Sequence, residues 1–330
     1  MKRTILIFII LSTVLAGAVF VSALLGAGDI PKEDVIRALF LRSTDTMAET
    51  IVWHIRLPRI AIALLIGAGL AACGSVFQGM LRNPLADPYT LGISGGAALG
   101  ATIAIVCKIG GLGFVSIASF IGALLSVFFI YMAASRKQFS VTTLILCGVV
   151  MNFLFSSLVL FIFAISRSQD VHGTIIWMMG DLGSALPEYV PVLLFPVGIG
   201  IALLIVFARD LNILSLGEER ALHLGLEAET TKKILFTIAS LITGACVACS
   251  GIIGFVGLII PHMMRQITGA DHRVLIPASA FAGAVFLILC DTLARTIIAP
   301  IELPVGVITG IVGGIFFLIL LFRKRQWEIL

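Results

Sequence analysis

The sequence predicts an all-α integral membrane protein with ten transmembrane helices, and three observations predict it. The 330-residue chain is 59% hydrophobic and only 12% charged, which leaves too little polar surface to cover a soluble globule of that size. Uncharged runs recur along its whole length, most of them near the roughly 20 residues a helix needs to cross a bilayer. One run, 234–264, is too long for a single span and is interrupted by "SGIIGFVGLIIP", where Gly251, Gly254, Gly257 and Pro261 divide it into two helices.

The elements follow in order. The start, "MKRTILIFIILSTVLAGAVFVSALLGAG", is basic like a secretion signal, but its uncharged run from Thr4 to Gly28 is about twice a signal's apolar region, so 4–28 reads as an uncleaved first span. Spans two to six are expected at about 60–81, 89–107, 113–135, 141–166 and 190–208. The seventh and eighth, 231–250 and 255–268, come from the divided run. The last two are 274–296 and 304–322, and residues 1–330 form one transmembrane domain.

An even number of spans puts both termini on one side. With the N-terminus in the cytoplasm, 14 of the 22 Lys and Arg residues fall inside, Arg323, Lys324 and Arg325 among them. The positive-inside rule supports that orientation. Among the exceptions, Arg56 and Arg59 in "HIRLPR" and Arg295 in "CDTLART" sit at the outer ends of spans and require a separate reason.

Several function classes are excluded. A net charge of +4, with no stretch that interleaves basic and aromatic residues, gives no footprint for nucleic acid. The six cysteines lie in apolar runs and read as packing residues; Cys246 and Cys249 form a C-x-x-C without charge or histidine nearby. The histidines do not pair at metal-ligand spacing with Cys, Asp or Glu. No phosphate loop, H-E-x-x-H or G-x-S-x-G occurs, so any ATP that drives this protein is hydrolysed by another subunit.

Two features remain. The stretch from Arg209 to Lys233 holds nine of the 40 charged side chains, and within it Glu218, Glu219 and Arg220 open a short amphipathic helix stopped by Gly225. It reads either as a solvated loop helix or as a peg for a soluble partner. Asp291 lies four residues before Arg295, which suits a helical ion pair. An ion-coupled secondary transporter, with Asp291 as the ion carrier, is the alternative reading. An internal echo matches Gly67 with Gly244 and Gly74 with Gly251 at an offset of 177; it reads either as plain small-residue packing or as an inverted repeat.

Four ordered stretches carry a resemblance: 56–101 ("RLPRIAIALLIGAGLAACGSVFQGMLRNPLADPYTLGISGGAALGA"), 217–227 ("GEERALHLGLE"), 254–277 ("GFVGLIIPHMMRQITGADHRVLIP") and 290–314 ("CDTLARTIIAPIELPVGVITGIVGG"). Together they resemble the FecCD-type permease subunits of bacterial ABC importers for iron-siderophore complexes, haem and cobalamin. The resemblance implies a type II importer permease fold of ten helices, a homodimer with a central translocation path, and alternating access. It implies an inner or plasma membrane location with both termini cytoplasmic. It also implies two copies of a separate ATPase, which binds the ATP and Mg, and a soluble or lipid-anchored binding protein that delivers substrate. No cofactor is expected in this chain.

By matching position, coupling to the ATPase falls on helices at about 212–227, with Leu216, Gly217, Glu218, Glu219, Arg220, Ala221, Leu222, Leu224, Gly225 and Leu226. Docking of the binding protein falls on Arg56, Arg59 and Arg295, whose guanidinium forks suit carboxylates. The cytoplasmic gate falls on Asn83, Leu85, Thr142 and Thr143. Two positions depart from the family: Ile252 and Ile315 stand where it usually has proline, which removes a helix-kinking device at each.

Overall fold

The computed structural model describes residues 2–26, 30–40, 46–183 and 186–322, and among them the chain is helical with no strand. Arg323, Lys324 and Arg325, counted above for orientation, lie outside the described residues, as do the last residues of the first expected span. In chain order the helices are α1 (Lys2–Leu24), α2 (Lys32–Phe40) and α3 (Met47–Ile51), which passes through a π turn at Val52–Arg56 into α4 (Leu57–Leu81). A 3₁₀ turn at Pro88–Leu91 leads into α5 (Ile93–Val106), followed by α6 (Leu112–Ser135), α7 (Val141–Ile165), α8 (Ser168–Met178) and α9 (Tyr189–Val206). Then come α10 (Ala208–Ser215), α11 (Glu218–His223), α12 (Ala228–Ser250), α13 (Val256–Thr268), α14 (His272–Thr296) and α15 (Val305–Phe322).

A helix stands at each of the ten expected spans. Seven are long and apolar enough to cross a membrane: α1, the continuous Met47–Leu81 rod, α6, α7, α9, α12 and α14. The helices α5 and α13 are shorter, and in α15 the apolar stretch is Val305–Leu320. At 1.5 Å per residue the 13 residues of α13 reach only about 20 Å, whereas the 23 residues of α12 reach about 35 Å. Two helices outside the spans were not foreseen. Charges at Glu33, Asp34 and Arg37 disguise α2 as a loop, and α8 is too short and half polar.

The core sits on α4. Ile60, Ile62, Ile66, Leu70, Val76 and Phe77 along it are buried, and α14, α12, α13 and α9 pack around it. By contrast α7 leaves Phe153, Leu160 and Phe161 exposed, and α1 leaves Ile5 and Ile9 exposed, the kind of apolar surface that lipid covers. Backbones approach closely at two crossings on α4. A Cβ on Gly67 would strike the Gly283 carbonyl of α14, and one on Gly74 the Gly257 carbonyl of α13. Lipid supplies no hydrophobic drive between helices, so close backbone packing does that work.

The division of the long run needs no proline. Gly251 ends α12 at φ 70°, ψ −160°, and Phe255 enters α13 at φ 69°. A side chain at Gly251 would meet the Trp177 carbonyl, and Asp181 N donates to Ser250 O at 2.9 Å across the same junction. Ile252 therefore sits in a break already made by glycine. Ile315 lies inside α15, which continues past it to Phe322.

Candidate functional site

Charge gathers at the two ends of the bundle. At the expected outer end, α4 and α14 bring together residues far apart in sequence. Arg59 Nε and Nη2 lie 3.0 and 2.9 Å from Asp291 Oδ1, and Arg59 Nη1 lies 2.6 Å from Glu302 Oε2. Arg295 Nε is 3.0 Å from Asp291 Oδ2, one turn back on the same helix, and its Nη2 donates to Ser22 Oγ at 2.8 Å. Arg56 Nη1 donates to the carbonyls of Ala23 and Leu24 at 2.8 and 3.3 Å, closing the end of α1. Its guanidinium lies where Gly26 has no Cβ. A cavity of about 170 Å³ opens between these groups.

This arrangement differs from three cations offered to a partner. Arg56, Arg59 and Arg295 are 4%, 7% and 3% exposed, and each makes polar contacts inside the chain. Asp291, 1% exposed, is held between two guanidinium groups. The helical pair with Arg295 is present as its spacing suggested. A buried carboxylate placed in this way is paired with fixed charge from two helices. Of the cluster, Glu302 alone keeps a substantially exposed side chain, at 37%.

At the other end, the charged stretch forms α10 and α11 where helices at about 212–227 were expected. On α10, Leu211 and Leu214 are buried, and Asn212 ties the helix to the start of α14. Its Nδ2 donates to Asp271 Oδ1 at 2.7 Å, and its Oδ1 accepts from His272 N at 2.9 Å. Burial opposes the charge of Asp271, but the hydrogen bonds from Asn212 and Arg273 outweigh it and hold the carboxyl below its ordinary range. Gly217, at φ 113°, turns the chain into α11.

In α11 and its flanks, Ala221 is buried and Leu226 half-buried, whereas Leu216, Leu222 and Leu224 are 53%, 64% and 61% exposed, beside exposed Glu219, Arg220 and Gly225. Glu218, its side chain 40% exposed, reaches with Oε1 to 3.1 Å from Nζ of Lys232, a lysine with no exposed side-chain surface.

The residues matched to the gate stand on two turns. Arg82 caps α4 in the left-handed region, φ 48°, and Asn83 Oδ1 accepts from Leu85 N at 2.9 Å in a tight turn. Leu85 is 46% exposed. In the same loop Asp87 is buried and caps the 3₁₀ turn by accepting from Tyr89 N; burial pushes its carboxyl up to about 7. On the second turn Ser140 caps α7, its hydroxyl accepting from Thr143 N at 3.3 Å and lying 2.7 Å from Thr143 Oγ1, while Thr142 is exposed.

Sequence reasoning marks Glu302, after Asp291, as a carboxylate near membrane depth without pairing it to Arg59, and it misses Lys232 as a buried cation. "PIELP" gave the first some signal, a carboxylate between prolines; Lys232 looked like half of an ordinary Lys-Lys pair. The cysteines are free, and among the described residues no group of three or more His, Cys, Asp or Glu side chains is placed to hold a metal ion.

The fold and the two charged ends define a subunit of a membrane transporter. Residues 10–323 match the model of the FecCD transport family, and the chain belongs to that family. It is 40% identical over 294 residues to the hemin transport system permease protein HmuU of Yersinia pestis, covering 86% of this chain and 87% of that one. The cobalamin import system permease protein BtuC of Halobacterium salinarum is 42% identical over 280 residues, covering 84% and 75%. The Fe(3+) dicitrate transport system permease protein FecD of Escherichia coli is 37% identical over 330 residues, covering 98% and 100%. Among solved structures, a metal-chelate type ABC transporter in an inward-facing conformation superposes with a TM-score of 0.87 at 29% identity, over 96% of this chain and 99% of that one. The all-helical permease fold expected from the sequence is the one the described residues have.

Proposed function

We propose that residues 1–330 form one permease domain that passes a metal chelate, an iron-siderophore complex in the first instance, inward across the inner or plasma membrane. Two copies enclose a path on their two-fold axis, with both termini in the cytoplasm. A soluble or lipid-anchored binding protein delivers the chelate outside. Two ATPase subunits, which hold the ATP and Mg, dock inside on Leu216 to Leu226. Asn83, Leu85, Thr142 and Thr143 narrow the inner end, and the cycle is alternating access. The relatives named for hemin, cobalamin and Fe(3+) dicitrate support a metal chelate as the cargo class.

The observation that carries the reading is the apolar surface of α11 and its flanks. Leu222 on the helix, Leu216 before it and Leu224 after it have most of their surface open, which is costly in water and natural in a protein cleft. For the outer side, three arginines against two carboxylates leave one net positive charge. An acidic group of the binding protein would compete with the half-open Glu302 for Arg59, drawing on Arg56 and Arg295 as fixed background charge.

The test is native mass spectrometry of the chain co-expressed with candidate ATPase subunits, for wild type and for Leu222→Asp/Leu224→Asp. A particle of two permeases and two ATPases that the variant cannot assemble supports the reading. A wild-type chain that never retains an ATPase refutes it.

A further inference from the structure

Within the coupling segment α10 packs its buried Leu211 and Leu214 against α4, α14 and α12, and two polar side-chain links also leave the segment. One runs through Asn212 to Asp271 and His272, and ends at the start of α14. The other begins at Glu218, crosses to Lys232 on α12 at 3.1 Å, and continues one turn along α12 to Phe236. Phe236 is fully buried and meets two other fully buried rings edge-on. Phe77 of α4 lies 6.3 Å away between centroids at 66°, and Phe139 lies 5.6 Å away at 74°.

Both rings lead to a gate turn. Phe77 stands on the last turns of α4, one and a half turns before the Arg82 cap and Asn83. Phe139 directly precedes Ser140, the cap that holds Thr143. Phe139 also takes φ 52°, a conformation costly for a bulky residue, so its packing against Phe236 and Tyr131 is what holds that turn in place. A densely packed core transmits displacement and does not absorb it.

We propose that Phe236, Phe77 and Phe139, reached from Glu218 through Lys232, form the relay that carries movement of the coupling segment to both cytoplasmic gate turns at once. The Glu218–Lys232 pair makes the docking of α11 obligatory, because a buried ammonium without its carboxylate is strongly unfavourable. The aromatic trio then makes the two turns move together. The proposal rests on the coupling and gate assignments above.

The experiment uses the complete complex with its ATPase and reads the gate directly. Spin labels at Leu85→Cys and Thr142→Cys, on a background in which exposed Cys107 is replaced, report the distance distribution with and without ATP and vanadate. With the relay intact, ATP shifts the distribution. In Phe236→Leu, which keeps an apolar side chain, the ATPase still binds and hydrolyses, but the shifted fraction falls about fivefold or more. A wild-type shift in that variant overturns the relay. If wild type itself retains no ATPase, the functional reading has failed instead.

Glu218→Gln, Lys232→Met and the double variant close a cycle. The double variant losing no more of the shift than either single supports the pair as one link, and simple addition of the two losses overturns it. Should a single variant not fold, Lys232→Arg, which keeps the charge, is expected to retain the shift, and its loss there overturns the link.

Discussion

Removing the charge of Asp291 is the sharpest test of how the outer end is built. Its side chain is 1% exposed and lies 2.9 Å from Arg59 and 3.0 Å from Arg295, whose side chains are also buried. Asp291→Asn keeps the shape but turns an amide NH₂ toward one guanidinium and leaves the other with a neutral acceptor. Arg59 retains Glu302, but Arg295 retains only Ser22 and the carbonyl of Leu25. Breaking a buried pair in this way costs about 3–5 kcal/mol, a large share of any protein's stability. Glu302→Gln costs less, about 1 kcal/mol at most, because that carboxylate is 37% exposed and Arg59 keeps Asp291. Replacing the three buried members together, Arg59→Met/Asp291→Leu/Arg295→Met, recovers most of the loss, since no buried charge is then left without a partner. The assay is the thermal unfolding midpoint in detergent, followed by tryptophan fluorescence. An Asp291→Asn curve that overlays wild type refutes the argument, and if uptake is abolished at the same time, the carboxylate is carrying an ion after all.

The remaining expectations concern packing and pH. Gly74→Ala, whose new methyl would strike the Gly257 carbonyl, destabilises by about 1–3 kcal/mol, whereas Gly17→Ala on the open face of α1 has nothing within 4 Å to strike. Equal midpoints for the two variants would remove the argument for that helix crossing. For Asp87, burial raises the folded-state carboxyl to about 7 from an ordinary 3.8. Between those values the folded chain holds a proton that the unfolded chain has released, so this group's contribution to stability falls as pH rises from about 4 to 7 and is constant above. Asp87→Asn is therefore expected to gain on wild type as pH rises from 5 to 8, read as the difference in unfolding midpoint; a difference independent of pH counts against a buried, uncharged Asp87.

What was legible in the sequence was what neighbours in sequence decide. Each span announces itself by an unbroken apolar run, and the helix break by glycines at 251, 254 and 257. The charged stretch from Arg209 to Lys233 stands out because charge is scarce elsewhere, and Asp291 with Arg295 by i, i+4 spacing. Pairings across helices leave no such trace. Arg59 and Asp291 are 232 residues apart, so three arginines that looked like free outer cations turn out to be bound within the chain. Lys232 makes the point most sharply. It and Lys233 are adjacent and chemically identical, yet about 100° apart around α12. Lys233 faces out, 30% exposed, toward Glu229 on its own helix, while Lys232 faces in, toward Glu218 of another element. Only the direction in which α12 presents its apolar face to α4 decides between them, and that direction is set by the packing of Phe236 and its neighbours. The same contacts that hid this residue from sequence reading are those that make it a link between α11 and the core.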